Sequence, residues 1–194
     1  MGYAISWIAV KQPQSEALLQ HLGLVPTSEL SEYAESLFTG RALSSGWFVL
    51  VISKCDHDFI KPGTLESISK IGDVIACSIE EHVMYCSAEL WRDGTEVWRV
   101  EHDAQQGMLN LSESGSLPGG YAAIKDEFIG KQTSSGGEES DTDYIFDIPL
   151  RAARSIAGFK HDEPGPEEDG FTVFKLEAHK PSEEQSKKSR WRFW

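Results

Sequence analysis

The chain has 194 residues, of which 40% are apolar and 10% aromatic, and its formal net charge is −13. This length and composition predict one globular domain with a substantial core rather than a disordered chain. The acidic excess disfavours nucleic acid as a ligand, because phosphates need basic groups, and favours a basic protein partner. No apolar run approaches the roughly 20 residues that cross a bilayer, so we expect no stable membrane insertion.

The amino terminus and the cysteines indicate a cellular compartment. Residues 1–10 lack the basic group that precedes the apolar part of a signal peptide, and they are typical of a strand instead. The three cysteines are odd in number and contain no Cys-x-x-Cys spacing. We therefore expect a protein of the reducing cytoplasm, and a small acidic bacterial protein of this kind matches the composition.

The first eighty residues predict an alternation of strands and helices. The predicted strands are Tyr3 to Val10, a weak edge strand at Glu32 to Phe38, Trp47 to Ile52 and Val74 to Ile79, and the predicted helices begin at Ser15 and Thr64. The resulting order, β-α-β-β-α-β, is that of a ferredoxin-like split unit. The run from Trp47 to Ile52 is apolar without interruption, which predicts a central strand covered on both faces.

The dipeptide Asp93-Gly94 is the strongest local signal in the chain, because strand-forming residues flank a sequence that favours a two-residue hairpin turn. A long β-hairpin is therefore predicted over residues 83–101. The pairs that such a turn sets include Trp91 with Glu96 and Glu89 with Trp98. In this register neither face of the hairpin is purely apolar, so we expect one face to meet solvent or a partner.

The second half of the chain predicts helices, loops and a last strand. Short helices are expected at Tyr121 to Ile129 and from Asp147 to a stop at Gly158, loops at residues 134–141 and 161–170, and a strand at Phe171 to Leu176. The fold class is α+β, with a mainly antiparallel mixed sheet and packed helices, in one domain over residues 1–178. Residues 179–194 predict a flexible basic and aromatic tail.

Histidines and carboxylates beside the hairpin are the candidate catalytic residues. If they converged, His82, His102 and Asp103 could act with Glu80 or Glu81 in a small metal-dependent hydrolase. Polar residues that merely end strands are the simpler interpretation, so we expect neither a metal nor a cofactor. A second, weaker candidate is a thiolate at Cys55 with His57 as its base. Glycine-rich phosphate loops are absent from the sequence.

Without a coherent catalytic set, the sequence favours a non-enzymatic binding or adaptor module, of the immunity type, that acts on a protein partner. Tryptophans are common anchors at interfaces, and acidic side chains attract a basic partner. The predicted partner-binding residues lie at the hairpin and in an acidic loop: Trp91, Glu96, Trp98, Glu138 and Glu139.

Overall fold

The computed structural model describes residues 2–163 and 170–178, which form nine strands and four α-helices. The strands are β1 (Ala4–Lys11), β2 (Leu24–Ser31), β3 (Phe38–Ala42), β4 (Trp47–Ile52), β5 (Val74–Glu80), β6 (Tyr85–Arg92), β7 (Thr95–Asp103), β8 (Leu111–Gly115) and β9 (Phe171–Leu176). The helices are α1 (Ser15–His21), α2 (Pro62–Ile68), α3 (Tyr121–Ser134) and α4 (Asp147–Ala157). The strands form one antiparallel sheet in the order β2-β9-β3-β4-β1-β5-β6-β7-β8, so the α+β class is confirmed.

Helices cover both faces of this sheet. Helices α1 and α2 pack on the face that carries Ile8 and Val10 of β1, which we call the α1/α2 face. Helices α3 and α4 pack on the opposite face, which carries Trp7 and Ala9 and which we call the α3/α4 face. Successive side chains of a strand point to opposite faces, so β1 supplies both cores. All six residues of β4 are buried, as the unbroken apolar run predicts.

The edge of the sheet beside β3 differs from the prediction. The predicted edge strand at Glu32 to Phe38 is wrong, because β2 ends at Ser31 and β3 begins at Phe38. Strand β9 inserts between them and pairs with both. Pro26 lies within β2 and weakens its strand signal, but proline is tolerated in a strand at the edge of a sheet.

The hairpin turns at Asp93-Gly94, whose φ angles of 50° and 78° are those of a type I′ turn. Trp91 pairs with Glu96, but the register shifts by one residue after this pair, so Glu89 faces Arg99 and not Trp98. The predicted register is therefore wrong beyond Trp91. The shift is a β-bulge, and it separates the side chains that the regular register mixes.

After the bulge, the two faces of the hairpin differ in polarity. The pairs on the α3/α4 face are Leu90 with Trp98, Ala88 with Val100 and Cys86 with His102, and those on the α1/α2 face are Glu89 with Arg99, Ser87 with Glu101 and Tyr85 with Asp103. One extra residue in β7 thus places Leu90, Ala88, Trp98 and Val100 in the core beneath α4, with His102 as the polar exception, and leaves Glu89, Arg99, Glu101 and Asp103 on the other face.

Other boundaries refine the predicted elements. A turn over residues 81–84 separates β5 from β6, which excludes one continuous strand there. Helix α2 begins at Pro62 rather than Thr64, and the Thr64 hydroxyl donates to the Asp58 carbonyl instead. Strand β8 was not predicted, and α3 is longer than expected. The predicted tail 179–194 and most of the loop 161–170 lie outside the described residues. Among the helices that are described, none is long and apolar enough to cross a membrane.

Candidate functional site

The structure separates the residues of the predicted hydrolase site. Glu80 ends β5 and its Oε1 lies 2.6 Å from Nδ1 of His82 in the following turn. Glu81 lies on the other face, where its Oε2 accepts from the Tyr3 amide at 2.8 Å and its Oε1 lies 3.2 Å from Nε2 of His161. The two neighbouring carboxylates thus serve different contacts, because adjacent residues at a strand end point to opposite faces.

His102 is fully buried on the α3/α4 face. Its Nδ1 lies 2.6 Å from the Asn110 carbonyl oxygen, and its Nε2 lies 2.8 Å from Oδ2 of Asp143. A carbonyl oxygen only accepts, so Nδ1 donates to Asn110, and Nε2 shares a buried hydrogen bond with the carboxyl group of Asp143. Oδ1 of Asp143 also accepts from the Phe146 amide at 3.1 Å. This arrangement ties β7 to the chain before β8 and before α4, and all its donors and acceptors are used.

Asp103, the last predicted member, faces away from His102. Its Oδ1 accepts from the Gln105 amide at 3.0 Å and its Oδ2 from Nε2 of Gln106 at 2.8 Å, so it caps the short turn after β7. Within residues 2–163 and 170–178, no three His, Cys, Asp or Glu side chains lie where they could hold a metal ion together.

The thiol–imidazole candidate has unfavourable electrostatics for a nucleophile. Burial, followed by the negative charge of Glu80, raises the pKa of the Cys55 thiol. Nδ1 of His57 accepts from the Phe59 amide at 3.1 Å, and burial lowers the pKa of its ring. The thiol therefore keeps its proton near neutral pH, whereas nucleophilic cysteines are thiolates.

The predicted tryptophan anchors are buried, which corrects the expectation that they are exposed. Trp91 is 8% exposed and packs in the core beneath α2, where its Nε1 donates to Oε2 of Glu89 at 2.8 Å. Trp98 is 1% exposed, because the bulge turns it toward the α3/α4 face. Neither ring can insert into a partner without unfolding the hairpin. The predicted acidic residues Glu96, Glu138 and Glu139 are exposed.

A different surface combines exposed apolar side chains with carboxylates. It comprises residues 29–37, at the end of β2 and in the connection to β3, and we call it the acidic strip. The exposed fractions of Leu30, Tyr33 and Leu37 are 72%, 62% and 51%. The acidic members, which are exposed too, are Glu29, Glu32 and Glu35. Large apolar side chains exposed close together in the chain, with polar residues between them, are typical of interaction surfaces.

The carboxylates of the strip are not neutralised by neighbours within the described part of the chain, where no ion pair involves Glu29, Glu32 or Glu35. A hydrogen bond to Glu32, together with the charges of Glu32 and Glu35, raises the pKa of the Tyr33 phenol. The strip therefore presents a negative field around an aromatic side chain. Among the described strands β2 pairs only with β9, so its outer edge also leaves backbone groups open.

The predicted strand at Glu32 to Phe38 covers most of the acidic strip, so the sequence did not predict this exposed surface. The available signal was a glutamate at every third position, with leucine and tyrosine between. Such spacing fits neither the alternation of a half-buried strand nor the apolar stripe of a packed helix. Comparison of the chain with protein-family models, with curated proteins and with solved structures found no match.

Proposed function

We propose that the protein is a non-enzymatic binding module, of the immunity or adaptor type, that binds a basic protein partner through the acidic strip. The observation that carries this proposal is the exposure of Leu30, Tyr33 and Leu37 among three carboxylates without ion-pair partners in the described chain. Tyrosine is enriched at protein interfaces, because its ring buries a large area while its hydroxyl still bonds.

The two kinds of side chain in the strip have different tasks. The carboxylates of Glu29, Glu32 and Glu35 attract a basic partner and raise the association rate at low salt. Tyr33 and Leu30 lose water on contact and hold the complex, so they govern the dissociation rate. Within residues 2–163 and 170–178, β2 is an edge strand, and such an edge offers backbone hydrogen bonds to an extended segment of the partner.

In this proposal the protein is cytoplasmic and works without a cofactor, and its first eighty residues form a ferredoxin-like unit. Supporting that unit, β5, β1, β4 and β3 are adjacent and antiparallel, and α1 and α2 lie on one face. The metal-dependent hydrolase gains no comparable support, because its candidate residues take part in separate contacts.

The test is a charge-matched comparison of two surfaces. One variant carries Glu29→Gln, Glu32→Gln and Glu35→Gln, and the control carries Glu96→Gln, Glu138→Gln and Glu139→Gln. A partner is captured from a lysate at low salt, and its association and dissociation rates are then measured with purified proteins. We expect the strip variant to slow association about ten-fold or more and the control to match the unmodified protein.

A second variant addresses the apolar contact. Tyr33→Ala is expected to raise the dissociation rate about ten-fold or more, with little change in the association rate. If the control variant slows association while the strip variant does not, the partner surface is the hairpin tip and the 138–139 loop, and the strip proposal is wrong. An unchanged dissociation rate for Tyr33→Ala contradicts the anchor role.

A further inference from the structure

A cavity lies at the end of the sheet where β1 and β6 begin and where β4 and β5 end. Along β1, the side chains on the α1/α2 face change from Val10 and Ile8 to Ser6 and Ala4, and β5 changes in parallel from Ala76 to Ser78 and Glu80. Helices α1 and α2 cover the apolar half only. The polar half is left to the loop that follows β4.

This loop closes the cavity from one side. The Ser6 hydroxyl donates to the Lys54 carbonyl at 2.8 Å, which holds residues 53–56 over the sheet. The cavity is open to solvent on one side and has a volume of about 520 Å³, within the range of sites for small ligands. Its lining includes Ala4, Cys55, Asp56, Glu80, Val83 and Tyr85.

The lining combines apolar surface with a negative field. Ala4 and Val83 supply the apolar part, and Glu80 is the half-buried carboxylate. His82 holds one oxygen of Glu80 at 2.6 Å, which orients the group before any ligand arrives. Lys54 is the cation of the lining, and it lies 3.3 Å from a carboxylate oxygen of Asp56 on the outer side.

The half-buried thiol of Cys55 belongs to the same lining as Glu80 and Asp56. After burial, the charges of Glu80 and Asp56 raise the pKa of Cys55, and together with burial they outweigh the opposing charge of Lys61. Burial also raises the pKa of the Tyr85 phenol, so the cavity contains two neutral groups that can donate or accept. An anion would meet the carboxylates at close range, whereas a cation with an alkyl chain matches both parts of the lining.

We propose that this cavity binds an alkyl cation, with its guanidinium or ammonium group at Glu80 and its hydrocarbon part against Ala4 and Val83. The proposal is independent of the acidic strip, although the Ser53 amide donates to the Leu37 carbonyl at 3.0 Å and so links the two surfaces. A free metabolite and a basic side chain of a protein share this chemistry, and both are tested below.

Cys55 gives a direct readout in the full-length protein. Its alkylation by iodoacetamide is followed by mass spectrometry, while Cys77 and Cys86 are buried and serve as internal references. The probes are n-butylguanidinium, its neutral counterpart n-butylurea, the anion butyrate, and an acetylated and amidated Gly-Gly-Arg-Gly-Gly peptide. We expect n-butylguanidinium at saturation to slow alkylation of Cys55 about five-fold or more and to shift the amide signals of Ala4 and Val83.

Two variants separate the charge of Glu80 from its role in the turn. Glu80→Gln is expected to weaken the binding of n-butylguanidinium about ten-fold, since it removes a charge-assisted hydrogen bond. His82→Ala keeps the carboxylate but removes the contact that orients it, so it should weaken the binding of n-butylguanidinium less than Glu80→Gln does. If the peptide also protects Cys55, the cavity can bind a basic side chain of a protein. If only n-butylguanidinium protects Cys55, the ligand is a small molecule.

Several results would overturn the proposal. If n-butylurea protected Cys55 from alkylation as well as n-butylguanidinium does, the cavity would recognise shape and not charge. If butyrate protected Cys55 better, the ligand would be an anion and not a cation. If the Glu80→Gln variant bound n-butylguanidinium as tightly as the unmodified protein, Glu80 would not be part of the binding site. The acidic-strip variant with three Glu→Gln changes should leave the protection of Cys55 by n-butylguanidinium unaltered. The cavity proposal can therefore fail while the partner proposal stands, and the partner proposal can fail while the cavity proposal stands.

Discussion

The two faces of the sheet differ in how completely helices cover them. On the α3/α4 face the strands bury Trp7 and Trp98, and even a polar pair, His102 with Asp143, is shielded from water. On the α1/α2 face the core around Ile8 and Leu50 gives way to serine, glutamate and tyrosine at one end. One face is therefore shielded by its helices, and the other leaves a cavity at one end.

Helix length explains the difference. Helices α1 and α2 have seven residues each and are about 10 Å long, whereas α3 has 14 residues and α4 has 11, or about 21 and 17 Å. Strand β1 has eight residues and spans about 27 Å. Two short helices cannot cover such strands from end to end, so the cavity lies where they stop.

The largest expected effect is on the sealed face. Asp143→Ala leaves Nε2 of His102 buried without its hydrogen-bond partner, and we expect a loss of about 3 kcal/mol in the free energy of unfolding, measured by denaturant titration. The neighbouring surface carboxylate provides the control. Asp103→Ala removes only a cap, with an expected loss under about 2 kcal/mol. Equal losses in the two variants would contradict a stabilising role for the buried contact between His102 and Asp143.

A smaller effect is expected where the hairpin tip meets α2. Gly94 has φ of 78°, its amide donates to the Ser69 hydroxyl at 3.0 Å, and an added Cβ would lie 3.1 Å from Cε of Lys70. Gly94→Val should lower the free energy of unfolding by about 1–2 kcal/mol. Asparagine tolerates this conformation, so Gly94→Asn should cost clearly less. Similar melting temperatures for both variants would argue against the type I′ turn.

The pH dependence of stability should differ in sign between two carboxyl groups, one on each face. Burial raises the pKa of Glu89 on the α1/α2 face, despite the hydrogen bond from Trp91. Burial also acts on Glu113 on the α3/α4 face, but hydrogen bonds from Tyr121 and Lys125 outweigh it and lower the pKa. The contribution of Glu89 to the free energy of unfolding is fully present below the pKa that Glu89 has in the unfolded chain. This contribution is lost as pH rises through the pKa of Glu89 in the folded protein. The Glu113 contribution is present above its unfolded pKa and is lost as pH falls.

Denaturant titrations between about pH 3 and pH 7 check these signs. Relative to the unmodified protein, Glu113→Gln should be less stable at neutral pH and should approach it in acid. The stability of Glu89→Gln relative to the unmodified protein should rise with pH over the same window. Parallel curves for the two variants would contradict opposite pKa shifts at these positions.

The smallest effect is expected in the acidic strip. Leu30→Ala and Tyr33→Ala remove exposed side chains, so the free energy of unfolding should change by less than about 0.5 kcal/mol. Melting curves of the two variants check this. A larger loss would show that the strip packs against the protein itself, and its role as a partner surface would then fail.

The elements that local sequence signals predicted correctly are those whose neighbours in the chain decide their conformation. The apolar run of β4 places it inside the sheet, Asp93-Gly94 sets the turn, and α4 begins at Asp147 and ends before Gly158. These signals act over a few residues, through backbone conformation and alternating burial, so they are readable without the fold.

Contacts between distant segments were decided only by the tertiary structure. The bulge after Trp91 changes which face receives Trp98, and no residue type in the hairpin marks it. His102 finds its partner 41 residues away at Asp143. Strand β9 inserts beside β2, although its residues follow almost 150 positions later.

The candidate sites arise from the same kind of long-range assembly. The cavity joins the ends of four strands and a loop, and the acidic strip is exposed because β9 occupies the place beside β2. Burial of a side chain depends on which other segments pack over it, and this information is spread along the whole chain. The sequence by itself therefore determined the local conformations and the acidic charge, and the packing of distant segments decided which side chains became core, pocket and surface.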